Sequence, residues 1–352
     1  MHAIARSDLD AGDDPLDGAA LYCPSCGDGF APAWDRCPED GSALVRAGHA
    51  ADPLLGRLLD RRFRVLRPLA QGAMGTVYAG VQLPIKRAVA IKVIRDDLGY
   101  DDAVAQRFLR EAYLSSRLSH PNIVDVLDFG ETADGCLYLV MDLLRGKMLD
   151  AVLAETGPLS VRRACEIGLQ LCSALVTAHA HGVVHRDLKP ANICLLAELG
   201  DWVKVLDFGL AKSVFQDPGN EITLAGAVIG TPLYMAPETI YAGLAEPRSD
   251  LYALGCILYE LLTGQPPFTG DSGALVLARH LDDEPPPLPE EVPPTLRLLV
   301  LALLAKTPEH RPANALTVCA LLEHCLAAEL AAELPTAVEA ALLDLDDADE
   351  KP

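Results

Sequence analysis

No uninterrupted apolar run in this chain approaches the ~20 residues that a membrane-spanning helix needs. The richest, Leu298 to Ala305, has the length of a buried helix. Basic residues are also scarce: 29 Lys and Arg stand against 50 Asp and Glu, for a formal net charge of −21. That balance argues against a nucleic-acid-binding surface. The opening residues, Met1-His2-Ala3-Ile4-Ala5-Arg6-Ser7-Asp8, lack an apolar signal core and soon turn acidic. Together these absences read as a soluble, cytoplasmic protein with neither a membrane nor a nucleic acid as partner. In that compartment the ten cysteines do not form a disulfide framework. Seven of them (Cys136, Cys165, Cys172, Cys194, Cys256, Cys319 and Cys325) stand singly in apolar stretches, where they read as small buried hydrophobes.

The 352 residues allow one large domain or two to three small ones, with ample core. Acid concentrates at both ends: five aspartates lie between Asp8 and Asp17, and Asp344 to Glu350 is nearly all acidic. Such runs read as solvated, disordered tails, here residues 1–20 and 329–352.

The other three cysteines cluster. Tyr22-Cys23-Pro24-Ser25-Cys26-Gly27 is a tight knuckle that lets two thiolates converge on one tetrahedral ion, and Cys37-Pro38-Glu39-Asp40-Gly41 has the outline of a second. Paired knuckles of this kind resemble a zinc ribbon, expected over residues 21–46. Asp40 stands where a fourth cysteine would. A carboxylate can ligate zinc, so Cys23, Cys26, Cys37 and Asp40 form one candidate set. His49 or a water as the fourth ligand, or a ribbon that has lost its metal, are the alternatives. So small a ribbon has almost no core of its own, and a metal would hold it together. Residues 47–60 read as a linker between the ribbon and the next domain.

Downstream, strand patterns alternate with short glycine- and aspartate-bearing strings. Phe63 to Ala70 alternates as a strand does, and Gln71-Gly72-Ala73-Met74-Gly75-Thr76-Val77-Tyr78 turns into a second strand. Glycines let a backbone approach phosphates where a side chain would collide. A Rossmann turn would need a helix at once, whereas Val77-Tyr78-Ala79-Gly80-Val81 is β-type. Val89-Ala90-Ile91-Lys92 is an apolar strand ending in one cation. Arg107-Phe108-Leu109-Arg110-Glu111-Ala112 lies on a helical pattern from about Asp101 to Leu118. Then come His185-Arg186-Asp187-Leu188-Lys189-Pro190-Ala191-Asn192, Asp207-Phe208-Gly209 and Ala236-Pro237-Glu238.

These strings, in this order, resemble the eukaryote-like Ser/Thr protein kinases of bacteria over roughly residues 61–328. The resemblance implies an α+β, two-lobed protein-kinase fold. An antiparallel five-stranded N-lobe with its αC helix would occupy residues 61–142, and a mainly helical C-lobe residues 147–328. It implies ATP and Mg2+ as cofactors, with structural Zn2+ as a further possibility at the ribbon. The substrates would be proteins carrying Ser or Thr, with autophosphorylation through a transient kinase dimer.

The same resemblance assigns roles. Leu69, Gly72, Gly75, Val77 and Ala90 would surround the nucleotide, although Ala70 stands where kinases usually have the first glycine. Lys92 would contact the α- and β-phosphates, held by Glu111. Met141 would be the gatekeeper, and Asp142 to Leu144 the hinge that pairs with adenine through its backbone. Asp187 would accept the substrate hydroxyl's hydrogen bond, and Lys189 would neutralise charge on the transferring phosphoryl group. Asn192 and Asp207 would hold magnesium. Asp250 would bond the catalytic-loop backbone, and Arg311 would pair with Glu238. Thr231 would pack against Lys189, and a phosphate on Thr223 would supply the anion that Arg186 calls for. Ala225 stands at the usual second acceptor position. A different class of function is a catalytically weak or inactive scaffold whose ribbon binds partners; Asp187, Asn192 and Asp207 argue against it.

Overall fold

The computed structural model describes residues 21–30, 34–46, 52–72, 75–94, 102–132, 135–196, 198, 200–208, 232–243 and 245–331. The chain divides into two compact units, Met1–Ser116 with Asp125–Leu144, and Arg117–Val124 with Arg145–Pro352.

The first unit holds two antiparallel sheets. A small one joins β1 (Leu21–Tyr22), β2 (Gly29–Phe30) and β3 (Val45–Arg46) in the order β2-β1-β3. The large one contains β4 (Leu58–Leu59), β5 (Phe63–Gly72), β6 (Gly75–Gln82), β7 (Arg87–Ile94), β8 (Val126–Glu131) and β9 (Leu137–Asp142), ordered β4-β5-β6-β7-β9-β8. Alternation places Phe63 and Val65 on the same face as Tyr78, Val89, Ile91, Val93, Tyr138 and Val140, which form one buried cluster. Helix α1 (Asp102–Ser116) buries Phe108 and Ala112, four apart on one face, and packs against β8 and β9.

The sheet thus has six strands where the sequence suggests five. The extra one comes from the segment read as linker. Leu58 and Leu59 pair with Arg64 and Phe63, Leu54 and Leu55 pack against the buried cluster, and the Arg64 guanidinium donates to the Gly56 carbonyl at 2.9 Å. Four leucines within Leu54–Leu59 are too apolar for a solvated tether, so residues 52–60 fold onto the sheet. Residues 47–51 lie outside the described residues.

The second unit is mainly helical. A small sheet joins β10 (Lys147–Met148), β11 (Ile193–Leu196) and β12 (Trp202–Val205). The helices are α2 (Leu149–Thr156), α3 (Val161–Ala180), α4 (Pro237–Ala242), α5 (Pro247–Thr263), α6 (Gly273–Asp282), α7 (Pro294–Leu303) and α8 over 315–331. Ser160 caps α3, its hydroxyl accepting from the Arg163 amide. Glu246 and Ser249 form a reciprocal capping box at the start of α5, which ends at Gly264 in the left-handed conformation. Helix α5 is buried nearly all round, as its run from Leu251 to Tyr259, free of charged residues, requires. Helix α8 runs three residues into the segment read as the acidic tail; 332–352, like 1–20, lie outside the described residues.

Candidate active site and metal centre

In the first unit, β5 and β6 lead into and out of the glycine turn, with Gly72 opposite Gly75 and residues 73–74 outside the described set. The two glycines are needed for different reasons. A Cβ on Gly75 would lie 2.1 Å from the Val93 carbonyl oxygen, so β7 itself forbids a side chain there. A Cβ on Gly72 would meet nothing nearer than 3.8 Å, which leaves its backbone open to a ligand. Lys92 is a buried cation on β7, opposite Val77 on one side and Leu139 on the other. Ala90 lies opposite Met141, and both are buried. The Asp142 amide already donates to the Asp125 carbonyl at 3.2 Å, and its carboxylate is paired with Arg87. Leu69 is exposed beside the second register shift of β5, and Glu111 lies half-buried on α1.

In the second unit, Asp250 organises the loop from His185 to Asn192. Buried at the start of α5, it accepts hydrogen bonds from the His185 amide (2.9 Å), the Arg186 amide (3.0 Å) and His179 Nε2 (2.8 Å). His185 is fully buried and stacks at a tilt on Phe208, with ring centroids 4.6 Å apart. Its Nε2 faces the Leu206 carbonyl at 2.9 Å, while Nδ1 faces the Asp187 amide at 3.3 Å. Those two partners require a neutral ring protonated on Nε2, and burial lowers the pKa in the same direction. Arg186 and Asp207 have φ of 67° and 58°. Left-handed backbone costs a non-glycine residue about 1–3 kcal/mol and persists where surrounding contacts over-determine it.

Lys189 Nζ donates to Asp187 Oδ2 at 2.7 Å. The Asn192 amide nitrogen donates to the Asp187 carbonyl at 2.8 Å and to its Oδ2 at 3.2 Å. One Asp187 oxygen is thereby fixed, and Asn192 is left with its side-chain oxygen to face a cation. That oxygen and the Asp207 carboxylate are hard ligands of the type magnesium selects. The loop borders a cavity of about 400 Å³, lined also by Asp150, Leu233 and Tyr234. Further support comes from Glu238 and Arg311, joined by two 2.8 Å hydrogen bonds with the arginine side chain wholly buried. Thr223, Thr231 and Gly209 lie outside the described residues.

His179 carries no motif signal. It lies 71 residues from Asp250, and only the packing of α3 beside α5 brings the two together.

The cysteine cluster forms a second centre. Its knuckles share one hydrogen-bond pattern. The Cys23 amide donates to the Asp28 carbonyl and the Gly27 amide to the Cys23 carbonyl; the Cys37 amide donates to Ser42 and the Gly41 amide to Cys37. Gly27 and Gly41 both adopt positive φ, 76° and 73°. Asp40 is therefore the structural counterpart of Cys26. The ligand atoms of Cys23, Cys26, Cys37 and Asp40 lie within 4.8 Å of one another. Cys26 and Cys37 sulfurs are 3.7 Å apart, and Cys23 Sγ lies 3.3 Å from Asp40 Oδ2. Zinc–sulfur bonds of about 2.3 Å in a tetrahedron put sulfurs about 3.8 Å apart, and a carboxylate oxygen about 3.5 Å from a sulfur. The set fits a tetrahedral ion. The Ser25 and Cys26 amides point at Cys23 Sγ, both at 3.4 Å, as outer partners of a thiolate ligand do. The Ser42 amide holds Asp40 ionised, its pKa well below the usual carboxylate range. His49 lies outside the described residues.

The single cysteines are packing groups. All but Cys319 are buried, and burial pushes the Cys165 thiol up to about 12.

Residues 63–326 match the protein kinase domain family, and the chain belongs to that family. It is 43% identical over 272 residues to serine/threonine-protein kinase pkn3 of Myxococcus xanthus, covering 75% of this chain and 50% of that one. It is 43% identical over 259 residues to PknB of Mycolicibacterium smegmatis, covering 72% and 41%. With PknA of Mycobacterium tuberculosis it shares 42% over 263 residues, covering 74% and 60%. The chain thus spans about half the length of the curated relatives it matches.

Proposed function

We propose that the protein is an ATP- and magnesium-dependent kinase that phosphorylates Ser and Thr hydroxyls of proteins, itself included. The observation that carries this reading is the Asp187–Lys189–Asn192 constellation, anchored through Asp250. Asp187 accepts the substrate hydroxyl's hydrogen bond and orients its oxygen for in-line attack on the γ-phosphate. Lys189 offsets charge on the transferred group, and Asn192 and Asp207 are the residues that would hold magnesium, which would supply positive charge to the phosphates. Lys92, positioned by Glu111, takes the α- and β-phosphates. The glycine turn closes over them with Leu69 and Val77, and the Asp142 carbonyl and Leu144 amide read adenine beside Met141. A protein segment carrying Ser or Thr enters the cavity beside Tyr234. Thr223 is the activating phosphorylation site, modified by a second kinase molecule in a transient pair, and Arg186 receives the phosphate. Thr231 shapes the groove beside Lys189.

Incubation with γ-labelled ATP, magnesium and a generic phosphoacceptor protein tests this directly. Acid hydrolysis should release labelled phosphoserine and phosphothreonine. Label on neither the acceptor nor the enzyme would instead support the inactive scaffold.

A zinc ion bound by Cys23, Cys26, Cys37 and Asp40 completes the reading. Its support is the tetrahedral spacing and the matched hydrogen-bonding of the two knuckles. Its role is structural.

A further inference from the structure

The cysteine ribbon is seated on the strands that carry the glycine turn, at an irregularity in them. Along β5 the register with β6 steps from Val65–Gly80 to Arg67–Ala79, passing over Leu66. The carbonyl of that extra residue accepts the Tyr22 hydroxyl at 2.9 Å. A bulge bends and twists its strand, so whatever holds Leu66 helps set the direction in which β5 runs on to Gly72. Tyr22, Leu66 and Val81 form a small buried core of their own, flanked by Val45 and Leu83.

Two further contacts join the ribbon to the same strands. A Cβ on Gly27 would lie 2.0 Å from a Val81 methyl carbon, so the first knuckle rests directly on β6. In the turn between β6 and β7, Lys86 Nζ binds Asp28 at 2.9 Å and also Glu39. Asp28 belongs to the first knuckle and Glu39 to the second. One cation therefore joins both halves of the metal site to the large sheet.

We propose that the metal held by Cys23, Cys26, Cys37 and Asp40 positions the nucleotide-binding turn from behind, through Tyr22 and Lys86, so that metal occupancy and nucleotide affinity are coupled. This rests on the metal and nucleotide readings above. The ribbon's strands are two residues long, too short to stand without a cross-link. Loss of the metal unfolds both knuckles, uncaps Leu66, exposes Val81 and releases Lys86. Nucleotide binding then has to restore the strand direction that the ribbon otherwise supplies. Linkage makes the effect reciprocal: bound nucleotide tightens the hold on the metal. Tyr22 and Lys86 are positioning residues that touch neither substrate nor nucleotide.

The test uses the full chain. Zinc content is measured first, then affinity for Mg-ADP by calorimetry, for the metal-replete wild type, the chelated and dialysed protein, and the metal-replete double variant Tyr22→Phe, Lys86→Ala. About one zinc per chain is expected, with Mg-ADP binding at least about fivefold weaker after stripping. The double variant should keep its zinc yet bind Mg-ADP more weakly than wild type. It needs no stripping, so the result stands even if the metal-free protein unfolds. At equilibrium, a competing chelator should also remove less zinc when Mg-ADP is present. A zinc-loaded double variant with wild-type nucleotide affinity overturns the coupling and leaves the metal site standing. A full chain without zinc overturns the metal reading and the coupling together. Metal-replete wild type that binds no Mg-ADP overturns the nucleotide reading instead.

Discussion

Asp250 is buried, and its two oxygens take three hydrogens, from the His185 and Arg186 amides and from His179. Removing it leaves those donors without their acceptor inside the protein, where each unsatisfied group costs about 1–3 kcal/mol. Asp250→Ala is expected to lower the melting temperature by roughly 5–10 °C. It should also reduce kcat more than it changes KM for ATP, because the loop that loses its anchor carries Asp187 and not the residues proposed to hold adenine. Thermal melts with steady-state kinetics check both. His280 gives a second residue-level outcome. It is fully buried, its Nδ1 is 2.8 Å from the Tyr252 hydroxyl, and burial holds its pKa down to about 4. In the unfolded chain the same ring protonates near pH 6.5. Between about pH 6.5 and 4 the unfolded state therefore binds the extra proton, and stability falls as pH falls, by up to about 3 kcal/mol. Denaturant midpoints measured across that window should fall less steeply for His280→Gln than for wild type. Parallel slopes would mean that other groups carry the acid sensitivity.

Among the elements, the β5–β6 hairpin gives a comparison between two glycines. Gly75→Ala drives a methyl group into the Val93 carbonyl, while Gly72→Ala makes only an ordinary contact, 3.8 Å from the Gly75 carbonyl oxygen. The first should destabilise the fold by about 1–3 kcal/mol. The second should leave the melting temperature close to wild type and weaken ATP binding, since its cost arises only when phosphates approach. The sequence could not separate these two positions, because the reason lies in β7, brought alongside by pairing. The same limit explains what else was hidden. The hydrogen-bonded meeting of Asp187, Lys189 and Asn192 was legible because six consecutive residues carry all three. Asp207 and Glu238 could be read because short flanking strings mark them. His179 meets Asp250 only through helix packing, and Lys86 meets Asp28 and Glu39 only through the seating of one sheet on another. β4 was missed because two-residue strands leave no periodicity. The leucines at 54, 55, 58 and 59 were the available sign that residues 52–60 are not a tether.

For the whole molecule, the central expectation is a switchable phosphotransferase. Thr223→Ala should markedly reduce phosphorylation of added protein, and phosphatase treatment of wild type should reproduce the loss. Mass spectrometry of active enzyme should find phosphate on Thr223; an active enzyme unmodified between Asp207 and Glu238 would sink the switch. The most direct measurement of the account as a whole is phosphoryl transfer from γ-labelled ATP by Asp187→Asn beside wild type, with melting temperature and Mg-ADP affinity measured on the same preparations. The account predicts that transfer falls by about 10²–10⁴-fold while the melting temperature and nucleotide affinity stay near wild type. A folded, nucleotide-binding Asp187→Asn protein that transfers phosphate at close to the wild-type rate would contradict it.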